Sequence, residues 1–161
     1  MIRVDYAYPW NQCITRWKFA QQPALAKYLA HWMVQDAEVR SAVDRADVVL
    51  PVPLSAQRMK ERGYNPAAQL AKYLAPTKHQ LYALRRVRHT LSQSALSRRK
   101  RLRNVRGAFE VAAAGHVHIQ GKSVLLVDDV MTTGATLAEA CRCLLQAGAT
   151  RVDVLCLART P

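Results

Sequence analysis

Two neighbouring carboxylates and a short polar turn are the residues best suited to chemistry in this sequence. Asp128 and Asp129 follow an apolar run, and residues 132–136 then read Thr-Thr-Gly-Ala-Thr. Backbone N–H groups at a helix N-terminus and threonine hydroxyls bind phosphate, and glycine permits a tight turn. Carboxylates accept hydrogen bonds from the vicinal hydroxyls of a sugar. The spacing therefore predicts a ribose 5-phosphate site, formed by Asp128, Asp129, Thr132, Thr133, Gly134, Ala135 and Thr136.

The same segment also has a purely structural explanation. An Asp-Asp pair after a strand can cap the helix that follows, and Thr-Gly turns are common in proteins. The established nucleotide-binding fingerprints do not decide the matter, because the sequence contains neither a full Walker loop nor a Gly-x-Gly-x-x-Gly pattern. The ribose-phosphate interpretation and the capping interpretation both stand on these residues alone.

The charge of the chain predicts an anionic partner. The sequence has 24 Lys and Arg against 11 Asp and Glu, a formal net charge of +13. Half of those cations lie between Arg62 and Phe109, a stretch without any Asp or Glu. Such a stretch repels itself unless something negative binds it, which predicts a phosphorylated metabolite, a nucleic acid or both. A solvated basic face is the alternative for any single arginine.

Strands and helices alternate around these residues. Apolar runs predict strands at residues 47–53, 81–84, 123–127 and 152–158. A 3.6-residue period predicts helices at residues 23–40, from Asn65 onward, and from Leu137 to a stop at Gly148, with Leu144 and Leu145 on the buried face. Residues 85–107 predict a basic mobile loop with a helical turn near 97–104. We therefore predict an α/β fold with a doubly wound parallel sheet, its ligand at the carboxyl ends of the strands.

Length and composition narrow the class of protein. A chain of 161 residues predicts a single domain, residues 1–161. The sequence has no apolar run long enough to span a membrane and no signal-peptide pattern, so we expect a cytoplasmic protein without a membrane partner. The four cysteines lack Cys-x-x-Cys spacing, which argues against a zinc site. His116 and His118 alternate as on a strand, where a surface hairpin explains them better than a metal site.

The segment Val124-Leu-Leu-Val-Asp-Asp-Val-Met-Thr-Thr-Gly-Ala-Thr136 resembles the 5-phosphoribosyl-1-pyrophosphate (PRPP) signature of type I phosphoribosyltransferases. Further stretches are similar to the ComF/GntX family of competence-related and amidophosphoribosyltransferase-like proteins. They are Pro51-Val-Pro-Leu54 with Arg58, Glu61-Arg-Gly-Tyr-Asn65, Leu70-Ala71, and the residues Arg88, Thr90, Gln93, Leu96, Arg101, Asn104 and Ala108-Phe109. Members of this family often begin with a four-cysteine zinc ribbon, which is absent here because only Cys13 precedes residue 140.

The resemblance implies a role for each matching residue. Asp128 and Asp129 would hold the ribose hydroxyls, and residues 132–136 the 5-phosphate. The pyrophosphate would face a loop and an arginine, namely Val52, Pro53, Leu54 and Arg62. Mg²⁺ would bridge oxygens of PRPP, with Asp128 and Asp129 as indirect metal ligands. Arg101, together with Arg98 or Arg62, would neutralise the departing pyrophosphate, which makes Asp128, Asp129 and Arg101 the expected catalytic residues.

Three functions remain open at this point. The first is an enzyme that transfers phosphoribose from PRPP to an acceptor and releases pyrophosphate. The second is a competence factor for DNA uptake that keeps the same fold and binds single-stranded DNA through its basic surface. The third is a PRPP-sensing regulator. The residues carry no signature for the acceptor, and they leave open whether the chain forms a homodimer.

Overall fold

A computed structural model of the chain describes residues 1–19, 22–88 and 105–160. Within these residues the helices are α1 (Trp10–Phe19), α2 (Leu25–Met33), α3 (Ala37–Arg45), α4 (Ala56–Arg62), α5 (Pro66–Leu74) and α6 (Ala135–Gln146). The strands are β1 (Ile2–Asp5), β2 (Val48–Pro51), β3 (Leu84–Arg86), β4 (Phe109–Val111), β5 (Ser123–Met131) and β6 (Arg151–Arg159). None of the described helices is long and apolar enough to cross a membrane.

Four strands form a parallel sheet in the order β1-β6-β5-β2. β5 lies inside this sheet, with β6 on one side and β2 on the other. Because all four strands are parallel, their carboxyl ends meet at one edge of the sheet. The predicted parallel sheet is confirmed, and its central strand is the one that carries the two carboxylates.

Alternate side chains of β5 enter two separate apolar clusters. Leu125 and Val127 pack on one face of the sheet against α1, α2, α3 and α5. Val124 and Leu126 pack on the opposite face against α6 and the antiparallel β3–β4 ribbon. A strand that is buried on both faces reads as a continuous apolar run, which explains the sequence Val-Leu-Leu-Val. Helices cover both faces, as the doubly wound prediction requires.

The helix predicted over residues 23–40 is two helices. α2 ends at Met33 and α3 begins at Ala37. Between them Asp36 has an extended backbone, and its side chain accepts hydrogen bonds from the backbone N–H groups of Glu38 and Val39. An aspartate in this role begins a new helix, so its local hydrogen bonds override the apolar period that runs through it.

Three smaller expectations are also wrong. The strand predicted at 81–84 is β3, which begins at Leu84 and pairs with β4, so the first two residues of the loop predicted at 85–107 belong to a strand. His116 and His118 lie exposed in a 3₁₀ helix (Ala113–His118) and not on a strand. This helix packs closely on the chain at Ala83, because a Cβ on Gly115 would come within 2.6 Å of the Ala83 carbonyl oxygen. Leu145 is 50% exposed, because the buried face of α6 runs through Leu144 instead.

Candidate active site

Asp128 and Asp129 lie where β5 extends beyond its neighbour β2. The sequence predicts a strand that stops at Val127, whereas β5 continues to Met131 because β6 pairs with it up to Arg159. β2 ends at Pro51, opposite Val127. At the two carboxylates, β5 is therefore paired with β6 on one side, and none of the described strands pairs with it on the other. Ligands bind at such crevices in open parallel sheets.

Asp129 is a buried carboxylate between two cations. The residue is 8% exposed, and its Oδ2 atom lies 2.7 Å from Lys18 Nζ and 3.9 Å from Arg62 Nη1. Its Oδ1 atom accepts a hydrogen bond from the backbone N–H of Val130 at 2.6 Å. A buried charge is tolerated when it is paired and hydrogen-bonded, and the two cations and the Val130 N–H supply both conditions.

Asp128 has the opposite electrostatic environment. Burial, and next the charge of Asp129, raise the pKa of Asp128 to about 8. The backbone N–H of Asp129 donates to Asp128 Oδ1 at 2.8 Å and works against this shift. Asp128 therefore keeps its proton near neutral pH. The site thus offers one charged acceptor beside one carboxyl that can also donate.

The turn after β5 leads straight to the N-terminus of α6. Thr132 and Thr133 lie in the turn, Gly134 is the N-cap with φ +73°, and Ala135 and Thr136 open the helix. Within the described part of the chain, no side chain caps this helix end. The capping interpretation of the two aspartates is therefore not what the geometry shows. Backbone N–H groups at this end and the nearby hydroxyls are free to bind an anion.

The Val52, Pro53 and Leu54 loop follows β2 and is tied to its surroundings. The backbone N–H of Val52 donates to the Val127 carbonyl at 2.8 Å, which fixes the loop beside β5. The Asn65 side-chain amide donates to the Val52 carbonyl at 3.0 Å, while its oxygen caps α5 by accepting from Ala67. Asn65 thus begins α5, as predicted, and also holds the loop.

Two cations near the site, Lys18 and Arg86, belong to no sequence motif that would have identified them. Lys18 lies on α1, far from Asp129 in the sequence. Arg86 lies on β3 with its guanidinium 5.6 Å from the Phe109 ring centre. Burial, and next the charge of Arg58, lower the pKa of Arg86, whereas the charge of Asp128 raises it. The charge of Asp128 therefore acts on Arg86. The one sequence feature that pointed to Arg86 is its place in the stretch without acidic residues.

Arg98 and Arg101, and the helical turn expected at 97–104, lie outside the described residues. Across the described ranges no group of three His, Cys, Asp or Glu side chains could hold a metal ion, and the four cysteines are free thiols. The fold brings the remaining predicted residues together at one edge of the sheet, namely Asp128, Asp129, Arg62, the turn at 132–136 and the loop at 52–54.

Comparison with known proteins gives a consistent result. The model of the phosphoribosyl transferase domain matches residues 20–161. The chain is 35% identical over 162 residues to the DNA utilization protein YhgH of Escherichia coli strain K12, across 97% of this chain and 70% of the relative. It is 34% identical over 162 residues to competence protein F of Haemophilus influenzae, across 96% and 69%.

A solved structure supports the fold assignment. The structure described as the allosteric regulatory enzyme of purine biosynthesis superposes with a TM-score of 0.56 at 23% identity. The superposition covers 89% of this chain and 30% of that chain. At this level of identity the likeness concerns the fold alone, and that fold is the type I phosphoribosyltransferase domain.

Proposed function

Since this chain belongs to the ComF branch of the phosphoribosyl transferase domain family, we propose that it binds PRPP and transfers the phosphoribosyl group to an acceptor. Asp128 and Asp129 receive the ribose hydroxyls, and the turn at 132–136 receives the 5-phosphate. The loop at Val52, Pro53 and Leu54 receives the pyrophosphate together with Arg62. The observation that carries this proposal is the open end of β5, where the acid pair leads directly into the uncapped N-terminus of α6.

Mg²⁺ would come to this site with the substrate. Asp129 is already paired with Lys18, burial favours the neutral form of Asp128, and the described residues offer no third carboxylate beside them. This donor set fits an ion that is held mainly by oxygens of PRPP, with Asp128 and Asp129 as neighbouring ligands. The ion would supply positive charge to the phosphate oxygens.

The proposed reaction is a displacement at C1 of the ribose. The bond between C1 and the pyrophosphate oxygen breaks, and pyrophosphate leaves with the bonding electrons. The acceptor atom bonds to C1 and releases its proton to water. Positive charge develops on the ribose while negative charge grows on the leaving group, so cations such as Arg62 and Arg101 lower the barrier. The acceptor has no identified subsite, and a screen of amines and bases for pyrophosphate release would find it.

Calorimetric titration with PRPP and Mg²⁺ tests the binding site. In the double variant Asp128→Asn and Asp129→Asn we expect PRPP affinity to fall about 100-fold or more, because charged hydrogen bonds of about 1.5–3 kcal/mol each are lost. Asp153→Asn is the matched control, because Asp153 lies on the adjacent strand and pairs with Arg151 instead. Unchanged PRPP affinity in a double variant with a native circular dichroism spectrum would remove the assignment.

Single-stranded DNA binding is the second candidate function, and one surface favours it. A groove of about 380 Å³ between α2 and α5 is lined by Lys27, Tyr28, His31, Val34 and Tyr73. Tyr28 is 71% exposed, Tyr73 is 40% exposed, and Lys72 lies over the ring of Tyr73. Neither helix contains an acidic residue. Exposed aromatic rings among cations stack bases and attract phosphates, and two relatives are named for DNA utilization and competence.

Binding of labelled oligothymidine, measured by anisotropy, tests this second function. The double variant Tyr28→Ser and Tyr73→Ser should weaken binding about 10-fold or more, because stacking contributes about 1–3 kcal/mol per base. Tyr82→Ser is the matched control, since Tyr82 is more exposed than Tyr28 or Tyr73 and lies outside both helices. The double variant Arg98→Ala and Arg101→Ala measures how much the basic stretch contributes to DNA affinity. PRPP and DNA affinities at one ionic strength then decide between the functions, and tight, salt-sensitive DNA binding without PRPP binding would favour the second.

A further inference from the structure

The last turn of α1 reaches the proposed PRPP site, although α1 precedes the residues that match the phosphoribosyl transferase domain. That match begins at residue 20, and α1 ends at Phe19. The alignment with YhgH covers 97% of the chain and therefore includes α1. The match to the general domain family thus does not extend over this helix, whereas the alignment with the ComF-type relative does. The contacts of Trp17, Lys18 and Phe19 show what the helix contributes.

Trp17 anchors the end of α1 to the fold. Its side chain is fully buried, and its indole N–H donates to the Gln69 side-chain oxygen on α5 at 3.1 Å. The hydroxyl of Tyr64 donates to the Trp17 carbonyl oxygen. A buried indole with a hydrogen-bond partner has one stable placement, so the two residues that follow Trp17 are directed with little freedom.

Lys18 points inward from this anchored turn. It is 8% exposed, although lysine is among the residues that are rarely buried, and its ammonium group lies 2.7 Å from Asp129 Oδ2. Removing an ion pair from water usually costs more than the attraction returns, and an apolar pair of the same size would serve the fold at least as well. The burial of this charge is therefore explained by the site that it faces and not by the stability of α1.

Phe19 extends the same contact to the second cation. The guanidinium of Arg62 lies 4.9 Å from the Phe19 ring centre, and Arg62 Nη1 lies 3.9 Å from Asp129 Oδ2. Phe19 is itself 64% exposed, so burial of its ring does not explain its place. A cation over an aromatic face is held in position by the ring. Successive residues of α1 thus orient the carboxylate and the arginine of the site.

We infer that α1 is a working part of the PRPP site, in which Lys18 positions Asp129 for the ribose and Phe19 positions Arg62 for the pyrophosphate. This inference rests on the proposed PRPP-binding function. Lys18 holds the Asp129 carboxylate in place through its ion pair, so that the carboxylate can accept from a ribose hydroxyl. Phe19 holds Arg62 beside Asp129, where its guanidinium can receive the pyrophosphate. The two residues therefore have separable effects on the two halves of the substrate.

Titrations with ribose 5-phosphate and with inorganic pyrophosphate and Mg²⁺ separate these roles. Lys18→Met should weaken ribose 5-phosphate binding about 10-fold or more, the effect of losing a charged hydrogen bond, and change pyrophosphate binding far less. Phe19→Leu should do the reverse, with pyrophosphate weakened about 2- to 5-fold, the size of an exposed cation–π contact. Arg16→Met is the matched control, because Arg16 is an exposed cation on the same helix.

The outcomes are distinguishable. Lys18→Gln is the second variant in case Lys18→Met does not fold, and circular dichroism checks both. A folded Lys18 variant that binds ribose 5-phosphate within about threefold of the wild type would overturn the inference while leaving the proposed function intact. Equal losses for both ligands in Lys18→Met and in Phe19→Leu would also overturn it. If the wild-type protein binds neither ligand, the proposed function fails and the inference fails with it.

Discussion

The two site carboxylates differ in their surroundings. Asp129 forms an ion pair with Lys18, whereas burial and the charge of Asp129 raise the pKa of Asp128 to about 8. A raised pKa means that the folded protein holds a proton on Asp128 which the unfolded chain has already lost. Stability is therefore present at acid pH and falls as the pH rises from the unfolded pKa toward the folded one. The burial of Asp128 therefore lowers stability at neutral pH, at a residue that the proposed ligand site uses.

The variant Asp128→Asn should separate stability from function. Asparagine resembles the neutral carboxyl, so we expect the variant to melt with the wild type near pH 3, below the unfolded pKa, and above the wild type by a margin that grows with pH to at least about 1 kcal/mol at about pH 9. The same variant should lose PRPP affinity. Melting curves at several pH values without Mg²⁺ provide the measurement, and parallel pH profiles for the two proteins would contradict the assigned pKa shift.

Gly134 is needed for its backbone conformation. Its φ is +73°, and a Cβ there would meet only Met131 Sδ at 3.6 Å, an ordinary contact. Gly134→Val should therefore cost about 1–2 kcal/mol through backbone strain and, by distorting the turn, weaken ribose 5-phosphate binding.

Gly121→Val is the control for this prediction, because Gly121 has φ +71° and open space around it. It should show a similar loss of stability with normal ligand affinity. Calorimetry and urea unfolding measure both quantities. Equal affinity losses in the two variants would show that general strain, and not the phosphate turn, is responsible.

At the scale of elements, α6 has a second task besides presenting its N-terminus. Glu139 on α6 is 8% exposed and accepts from the Gly107 backbone N–H at 2.6 Å. The same carboxylate accepts from Arg142 Nε at 2.9 Å and from Arg142 Nη2 at 2.6 Å. Gly107 lies at the end of the basic stretch that was predicted as a loop. The helix that offers its N-terminus to phosphate therefore also holds the chain where that stretch returns to the sheet.

Glu139→Gln should destabilise the protein by about 1–3 kcal/mol at neutral pH, because charged hydrogen bonds are lost. The Arg142 hydrogen bond, and also the Gly107 N–H, lower the pKa of Glu139, so its contribution exists above the unfolded pKa and disappears as the pH falls through the folded one. Urea unfolding near pH 7 and near pH 4 should show a deficit that shrinks with acid. Glu110→Gln, an exposed carboxylate on β4, is the control. A deficit that does not depend on pH would contradict the role of the charge.

At the scale of the whole molecule, net charge opposes the fold. A formal charge of +13 on 161 residues makes the compact state repel itself, and half of the cations lie in the acid-free stretch. Ion pairs reduce this repulsion. Among the described residues, Lys18 and Asp129 form the one ion pair in which both residues are buried. An anionic ligand therefore adds charge relief to whatever contacts it makes.

Low concentrations of salt should stabilise the protein by screening. Raising NaCl from about 20 to about 200 mM shortens the Debye length and should raise the melting temperature by roughly 2–4 °C, the shift that about 1 kcal/mol produces at this size. Sucrose at matched osmolality is the control, since it screens no charge. A melting temperature that stays flat or falls with NaCl would show that self-repulsion does not limit stability.

Some features of this protein depend mainly on residues that are close together in the sequence, and these features can be predicted from the sequence. The buried strand, the carboxylates and the phosphate turn follow one another within residues 124–136, so their order alone predicts an anion site at a strand end. The Asn65 cap and the Pro66 first turn likewise predict where α5 begins. The helix start is confirmed, because a cap depends on contacts between residues close in the chain, whereas the anion site stays a prediction.

Tertiary structure decided what depends on residues far apart. Nothing near Lys18 announces its contact with Asp129, because that pairing arises only when α1 packs against the sheet. The length of β5 was missed for the same reason, since β6 supports its last residues. The pKa of Asp128 depends on burial, which no stretch of sequence states. Burial, strand pairing and distant charge are properties of the packed chain, so the sequence by itself pointed to the candidate residues at 128–136, and only the fold showed which distant charges surround them.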